Sequence, residues 1–70
     1  MHNKLQTLKS KLEKIDGVDV DPEDEQRIKV SVDSNTYPVY IDDDKMWYRD
    51  NKQEEETEVE PFIEIIETQL

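Results

Sequence analysis

The stretch from Arg27 to Arg49, RIKVSVDSNTYPVYIDDDKMWYR, decides the fold of this chain. Two short polar segments divide it, and Ser, Asn and Asp tolerate the backbone geometry of tight hairpin turns. We therefore expect turns at Ser34-Asn35 and at Asp43-Asp44, and between them a three-stranded antiparallel meander. The first turn gives the cross-strand pairs Val32–Tyr37, Val30–Val39 and Ile28–Ile41. The second turn gives the pairs Ile41–Met46, Tyr40–Trp47 and Val39–Tyr48.

The alternation of side chains along a strand sorts this meander into two faces. The predicted apolar face holds Ile28, Val30, Val32, Tyr37, Val39, Ile41, Met46 and Tyr48. The opposite, mixed face holds Lys29, Ser31, Pro38, Tyr40, Trp47 and Arg49. Such a sheet needs helices on one side only. Because Pro38 lacks an N–H group, we expect a bulge or a late strand start near it.

Apolar residues at helical spacing flank the meander on both sides. Asn3 through Ile15 is predicted to be a helix, with Asn3 as its N-cap and Gly17 as the left-handed residue after its end. Its apolar stripe is Leu5, Leu8, Leu12 and Ile15. The second helix begins at a Thr57–Glu60 capping box or with Pro61 at its first position. Its apolar stripe is Val59, Phe62, Ile63, Ile66 and Leu70, and Ile65 lies off this stripe, where it is available to a partner.

Two acidic segments connect these elements. Val18 to Gln26 is predicted to be an acidic turn or loop, and Glu54 to Glu58 an acidic linker. The predicted fold is therefore α+β in the order α-β-β-β-α, a three-stranded antiparallel meander with two helices on one face. Residues 1–70 form a single small acidic domain on this interpretation.

Composition restricts the classes of partner. The chain has 70 residues, no cysteine and a net charge of −10. Residues 1–15 carry four lysines against one glutamate, whereas residues 16–70 carry 18 carboxylates against five cations. This surface disfavours nucleic acid and anionic membranes as direct partners and favours a basic protein. With no apolar run near the ~20 residues of a membrane span and no signal peptide, we expect a cytoplasmic protein.

The residues needed for catalysis or for a specific metal site are not apparent. His2 is the single histidine, and the chain has neither a cysteine nucleophile nor a glycine-rich phosphate loop, so we predict no enzyme activity and no cofactor. Asp19, Asp21, Glu23 and Glu25 alternate like calcium ligands, but the central glycine of an EF-hand loop is missing and Pro22 interrupts the run. We therefore predict no metal site.

Three carboxylate clusters are the most distinctive feature of the sequence. They are Asp19, Asp21, Glu23, Asp24 and Glu25; Asp42, Asp43 and Asp44; and Glu54, Glu55, Glu56, Glu58 and Glu60. On one interpretation they are solvated loops that keep a small protein soluble. On the other they imitate a nucleic-acid backbone. An extended chain rises about 3.3 Å per residue, and one DNA strand presents a phosphate about every 3.4 Å of helix axis.

With its DVDPEDE, DDD and EEETEVE segments, the chain resembles the small acidic DNA-mimic proteins that phages make to disable host DNA-binding proteins. Within that class it is most similar to inhibitors of the bacterial nucleoid protein HU. The likeness lies in length, acidity and α/β character, because mimics share charge rather than sequence. It implies host-takeover activity in the bacterial nucleoid. There the mimic occupies a basic DNA-binding surface, often as a homodimer.

Tyr40 and Trp47 suggest how such a homodimer forms. They pair on the mixed face, and an exposed aromatic patch on a small protein is typical of an interface. The alternative is that a helix covers this face. Two further functions remain open: an anti-CRISPR, antitoxin or immunity-type module that recognises its partner by shape, and an acidic accessory domain without inhibitory activity.

Overall fold

A computed structural model describes residues 2–70 and shows an α+β fold with one open sheet. The elements are α1 (Asn3–Leu12), β1 (Val18–Asp24), β2 (Arg27–Val32), β3 (Asn35–Asp42), β4 (Lys45–Asp50), β5 (Gln53–Thr57) and α2 (Val59–Glu67). The strands are antiparallel neighbours in the order β1-β2-β3-β4-β5. The predicted fold class is confirmed, but the sheet has five strands rather than three.

Both additional strands lie in segments that the sequence predicted to be irregular. The acidic loop is mostly β1, and the acidic linker is mostly β5. Asp and Glu are uncommon in strand interiors, but both segments form sheet edges, where charges and proline block pairing with other chains. The irregularity around Glu23, between Pro22 and Asp24, lets β1 bend into its turn.

The register of the central hairpins is partly as predicted. The β3–β4 pairs Ile41–Met46, Tyr40–Trp47 and Val39–Tyr48 are confirmed. The β2–β3 turn lies at Asp33-Ser34, one residue earlier than predicted, with Asp33 at φ 54°. The observed pairs are therefore Val32–Asn35, Val30–Tyr37 and Ile28–Val39. A shift of two residues in pairing preserves the face of every side chain, so the predicted apolar face is correct and its residues are all buried.

Pro38 lies within β3 without the expected bulge or late start, because the β2–β3 register is unbroken from Arg27 to Asn35. Ile41 N donates to Gln26 O (2.9 Å), so odd-numbered residues of β3 direct their N–H groups towards β2. Pro38 therefore faces β4, and the β3–β4 pairing ends at the neighbouring Val39–Tyr48 pair. The missing N–H group costs no ladder hydrogen bond.

Both helices contribute to a single core on the apolar face. Leu5, Leu8 and Leu12 of α1 and Phe62, Ile63 and Ile66 of α2 are buried with the inner side chains of the sheet. Ile15, Val59 and Ile65 are partly buried against this core, so Ile65 lies partly within the fold. Leu70 is 60% exposed and does not join the buried stripe.

The helix ends differ from their predicted positions. The N-cap of α1 is His2 rather than Asn3, because His2 Nδ1 accepts a hydrogen bond from Lys4 N (3.1 Å). The helix ends at Leu12, and Gly17, at φ 92°, is the last residue of the turn that leads into β1. Helix α2 uses neither predicted start: Glu58 is its N-cap, and the Thr57 hydroxyl donates to the Glu58 carbonyl (3.1 Å).

Candidate functional site

Carboxylates from all three clusters lie at one end of the sheet. In an antiparallel meander the β1–β2 and β3–β4 turns lie at the same end, which is also where β5 finishes. This acidic end consists of Asp24, Glu25, Asp42, Asp43, Asp44 and Glu58. The opposite end holds Asp16, Asp33, Asp50 and Glu67 beside Lys14 and Lys52, whereas the acidic end also carries Lys4 and Lys45. Both ends are therefore net negative, and the acidic end holds the larger number of carboxylates.

Helix α1 begins at the acidic end and ties its turns together. His2 N donates to Glu25 O (3.0 Å), and His2 Nε2 lies 3.4 Å from Asp44 Oδ1. Lys4 Nζ lies 3.5 Å from the Asp44 carbonyl oxygen and 3.6 Å from Glu58 Oε2. These contacts reach all three clusters, so the base of the acidic end is held by α1.

Turn geometry and the helix dipoles explain why carboxylates occur at some of these positions. Asp43 and Asp44 have φ 54° and 60°, the two positive values that a type I′ turn requires. Asp tolerates this conformation better than most residues. The N-termini of both helices also lie at this end, and their dipoles favour nearby carboxylates. Asp43 and Asp44 are exposed to solvent nevertheless, so their charge is available to a partner.

The edge strands carry less charge on each face than the sequence suggested. Since side chains alternate, Glu54 and Glu56 point to the outer face of β5, and Glu55 lies on the inner face beside Tyr48. Asp19 and Asp21 likewise lie on the outer face of β1. Carboxylates on one face therefore repeat about every 6.6 Å, half the charge density expected from consecutive extended residues.

Glu55 has a structural partner. The Tyr48 hydroxyl donates to Glu55 Oε2 (2.8 Å). This hydrogen bond, followed by burial, raises the pKa of Tyr48 to about 12. Glu55 is thus one of the predicted partner-binding residues that serve the fold, together with Asp24, whose Oδ1 accepts from Gln26 N, and with Asp44 and Glu58, which contact α1.

Within residues 2–70 no helix covers the outer face of the sheet, because α1 and α2 both pack on the inner face. Tyr40 and Trp47 pair there in register, as predicted, and both are half-buried among their neighbours. Trp47 Nε1 is buried and has no hydrogen-bond partner among residues 2–70. The two aromatic residues therefore form a half-buried patch on this face, less exposed than the sequence predicted.

A hollow of about 440 Å³ lies beside this patch. Its lining residues are Glu23, Arg27, Pro38, Tyr40, Asp42, Arg49 and Glu54. Burial, followed by the Glu54 carboxylate, raises the pKa of the Tyr40 hydroxyl, and Arg49 opposes that rise. The sequence placed Arg49 on this face but did not predict the hollow, because β5 and the bend at Glu23 complete its walls. The sequence feature that could have indicated the hollow is the position of the two arginines, Arg27 and Arg49, at the two ends of the predicted meander.

The predicted partner-binding residues fall into three places. The acidic end holds Asp24, Glu25, Asp42, Asp43, Asp44 and Glu58. The hollow is lined by Glu23 and Glu54, and the edge strands carry Asp19, Asp21 and Glu56.

Within residues 2–70 no group of three potential ligands is close enough to hold a metal ion. Neither described helix is long and apolar enough to cross a membrane. Comparison with family models, curated proteins and solved structures found no match to this chain.

Proposed function

We propose that this protein is a DNA mimic that binds a basic host DNA-binding protein, of the type of the nucleoid protein HU, and blocks its DNA-binding surface. The observation that carries the proposal is that six carboxylates, drawn from all three clusters, lie at one end of the sheet. The protein acts in the bacterial cytoplasm, at the nucleoid, and its partner is a protein rather than a nucleic acid or a membrane.

The physical basis is the pairing of Lys and Arg side chains with fixed negative charge. A basic protein that binds DNA neutralises phosphates and displaces their counterions. The acidic end offers a comparable surface, because its two turns lie two strand spacings apart, about 10 Å. These turns belong to paired strands, so their carboxylates need little ordering before they meet a partner.

Displacement of a labelled duplex from a purified HU-type protein tests this proposal. The double variant Asp43→Asn/Asp44→Gly removes two charges while supplying Asn-Gly, the sequence most suited to a type I′ turn. We expect it to displace DNA roughly tenfold less well, since each exposed ion pair contributes up to about 1 kcal/mol. Displacement by the unchanged protein should also weaken as salt is raised.

The matched control is Asp33→Asn/Asp50→Asn, which removes two carboxylates from the opposite end of the sheet. Asn tolerates the positive φ of Asp33, so this turn should also be preserved. Equal losses in the two double variants would mean that only net charge matters. Failure of the unchanged protein to displace DNA would reject mimicry altogether.

The uncovered aromatic patch favours a second candidate function, a non-mimic interaction module of the anti-CRISPR, antitoxin or immunity type. Such a module recognises its partner by shape, with a buried aromatic anchor contributing most of the binding energy. In that case Trp47→Ala or Tyr40→Ala would abolish binding, and salt would have little effect. The same displacement and salt series therefore separates the two candidates.

A further inference from the structure

The two edges of the sheet, β1 and β5, differ in the backbone groups that they leave free. Because the N–H group of Ile41 faces β2, the alternation along β3 and β4 makes Tyr48–Glu55 a hydrogen-bonded pair of β4 and β5. The N–H and C=O groups of Glu54 and Glu56 therefore point away from the sheet. No other strand or loop among residues 2–70 pairs with them.

Strand β1 offers fewer free donors at its edge. By the same alternation, Val18, Val20 and Pro22 face away from β2. Val18 N already donates to Ile15 O (3.4 Å), and proline has no N–H group to donate. The register also shifts after Pro22. A further strand is therefore better accommodated at β5, where the pairing with β4 is regular from end to end.

The side chains of β5 restrict which strand can be added. Glu54 and Glu56 are exposed, and their carboxylates lie on the outer face. In an added antiparallel strand, the residues directly opposite them lie on that same face, with Cβ atoms about 5.5 Å away. Strand β5 of a second copy would place glutamate opposite glutamate, which is destabilising. Lysine or arginine at alternate positions would instead form cross-strand ion pairs.

A shallow recess of about 330 Å³ continues the edge beyond β5, lined by Glu56, Thr57, Glu58 and Pro61. The Pro61 ring offers apolar surface to the aliphatic part of a lysine or arginine side chain, and the two glutamates lie beside it for the charged end. Glu58 already lies 3.6 Å from Lys4 Nζ, whereas Glu56 makes no ion pair among residues 2–70. A basic residue opposite Glu56 would therefore meet both a free carboxylate and the recess.

We propose that β5 binds an extended basic segment of the partner as an added antiparallel strand, with lysine or arginine opposite Glu54 and Glu56. The inference rests on the proposed function for the identity of the partner. In strand addition, backbone hydrogen bonds contribute affinity and alternate side chains contribute specificity. A duplex has no peptide edge, so this contact distinguishes basic proteins that have a free extended segment from those that do not.

Amide hydrogen exchange, followed by NMR on the complete chain, tests the contact directly. A purified HU-type protein and, separately, a short peptide of alternating lysine and threonine should each slow exchange at the Glu54 and Glu56 N–H groups about tenfold or more. The control peptide has the same sequence with N-methylated lysines. It keeps the charge but cannot pair with β5, so it should leave both amides unprotected.

A matched pair of variants separates the backbone contact from charge. Glu56→Gln and Glu56→Pro remove the same carboxylate, but only the proline variant also removes the outward-facing N–H group. Because this group does not bond to β4, the sheet should be retained, as thermal unfolding would verify. We expect Glu56→Pro to bind the HU-type protein and the lysine–threonine peptide about fivefold more weakly than Glu56→Gln does, from the loss of one hydrogen bond.

Unchanged exchange at Glu54 and Glu56 in the complex with the HU-type protein overturns the added strand. So does equal binding of that protein by the two variants. Displacement of duplex DNA by the unchanged chain would still support the proposed function in either case. If the unchanged chain fails to displace DNA while the peptide still protects β5, the proposed function falls and β5 is a site for a basic strand of another protein.

Discussion

At the scale of single residues, Tyr48 links the acidic edge of the sheet to the core. Its ring packs against Phe62, with centroids 5.1 Å apart, and lies edge-to-face with Tyr37 at 6.4 Å. Its hydroxyl donates to Glu55 on β5. A strand with three consecutive glutamates gains little from side-chain burial, so this hydrogen bond helps to hold β5 against β4.

We expect Tyr48 to make stability depend on alkaline pH. Its folded pKa of about 12 exceeds the ordinary value of 10.0. The folded state therefore retains the phenolic proton that the unfolded state releases, and stability falls as pH rises from about 10 to about 12. Tyr48→Phe should show a shallower fall in urea unfolding free energy across this window. An equally steep fall in the variant would contradict the assignment.

Glu55→Gln provides the matched control for that prediction. It keeps an acceptor for the Tyr48 hydroxyl and removes the carboxylate that raises its pKa. We expect the alkaline fall to shrink in this variant too. At neutral pH, Tyr48→Phe should cost about 0.5–1.5 kcal/mol of unfolding free energy, the usual net contribution of a hydrogen bond.

At the scale of elements, the charged side chains of the two edge strands have a structural role in keeping the sheet from pairing with other chains. β1 carries Pro22 and outer-face carboxylates, and β5 carries consecutive glutamates. Such residues prevent an exposed edge from pairing with another chain. We predict that Glu54→Thr/Glu56→Thr, which raises β-propensity, leaves the fold intact but promotes concentration-dependent assembly. Light scattering should detect this assembly, and Asp19→Thr/Asp21→Thr should behave similarly, though less strongly because Pro22 remains.

The elements also show what the sequence could determine. The β3–β4 register was predicted correctly because a turn at Asp43-Asp44 pairs Asp42 with Lys45 and brings the apolar residues Ile41 and Met46 opposite each other. The β2–β3 register was not, because Asp33, Ser34 and Asn35 all favour turns and only the folded sheet selects among them. β1 and β5 were missed because an edge strand can consist of residues with low β-propensity.

The candidate site, like the sheet, was only partly predictable from the sequence. Each carboxylate cluster was visible in the sequence, but their convergence depends on the number of strands between them. The hollow depends on β5, so a three-stranded sheet could not have revealed it. The apolar face of β2, β3 and β4 was predictable in full, since alternation survives a shift of two residues, but the inner residues of β1 and β5, such as Val18 and Thr57, were not predicted.

At the scale of the whole molecule, the net charge of −10 gives self-association and partner binding opposite responses to salt. Two copies repel one another, and added salt screens that repulsion. Partner binding depends on attraction between opposite charges, which salt weakens. Self-association through Tyr40 and Trp47 remains a prediction, and on this argument it should strengthen as salt rises.

Trp47→Ala tests that prediction because the indole lies at the centre of the uncovered face. We expect the variant to stay monomeric at protein concentrations where the unchanged chain self-associates at high salt, as measured by sedimentation velocity. Thermal unfolding of the variant provides the control for folding. An oligomer that persists in Trp47→Ala would place the self-association surface elsewhere.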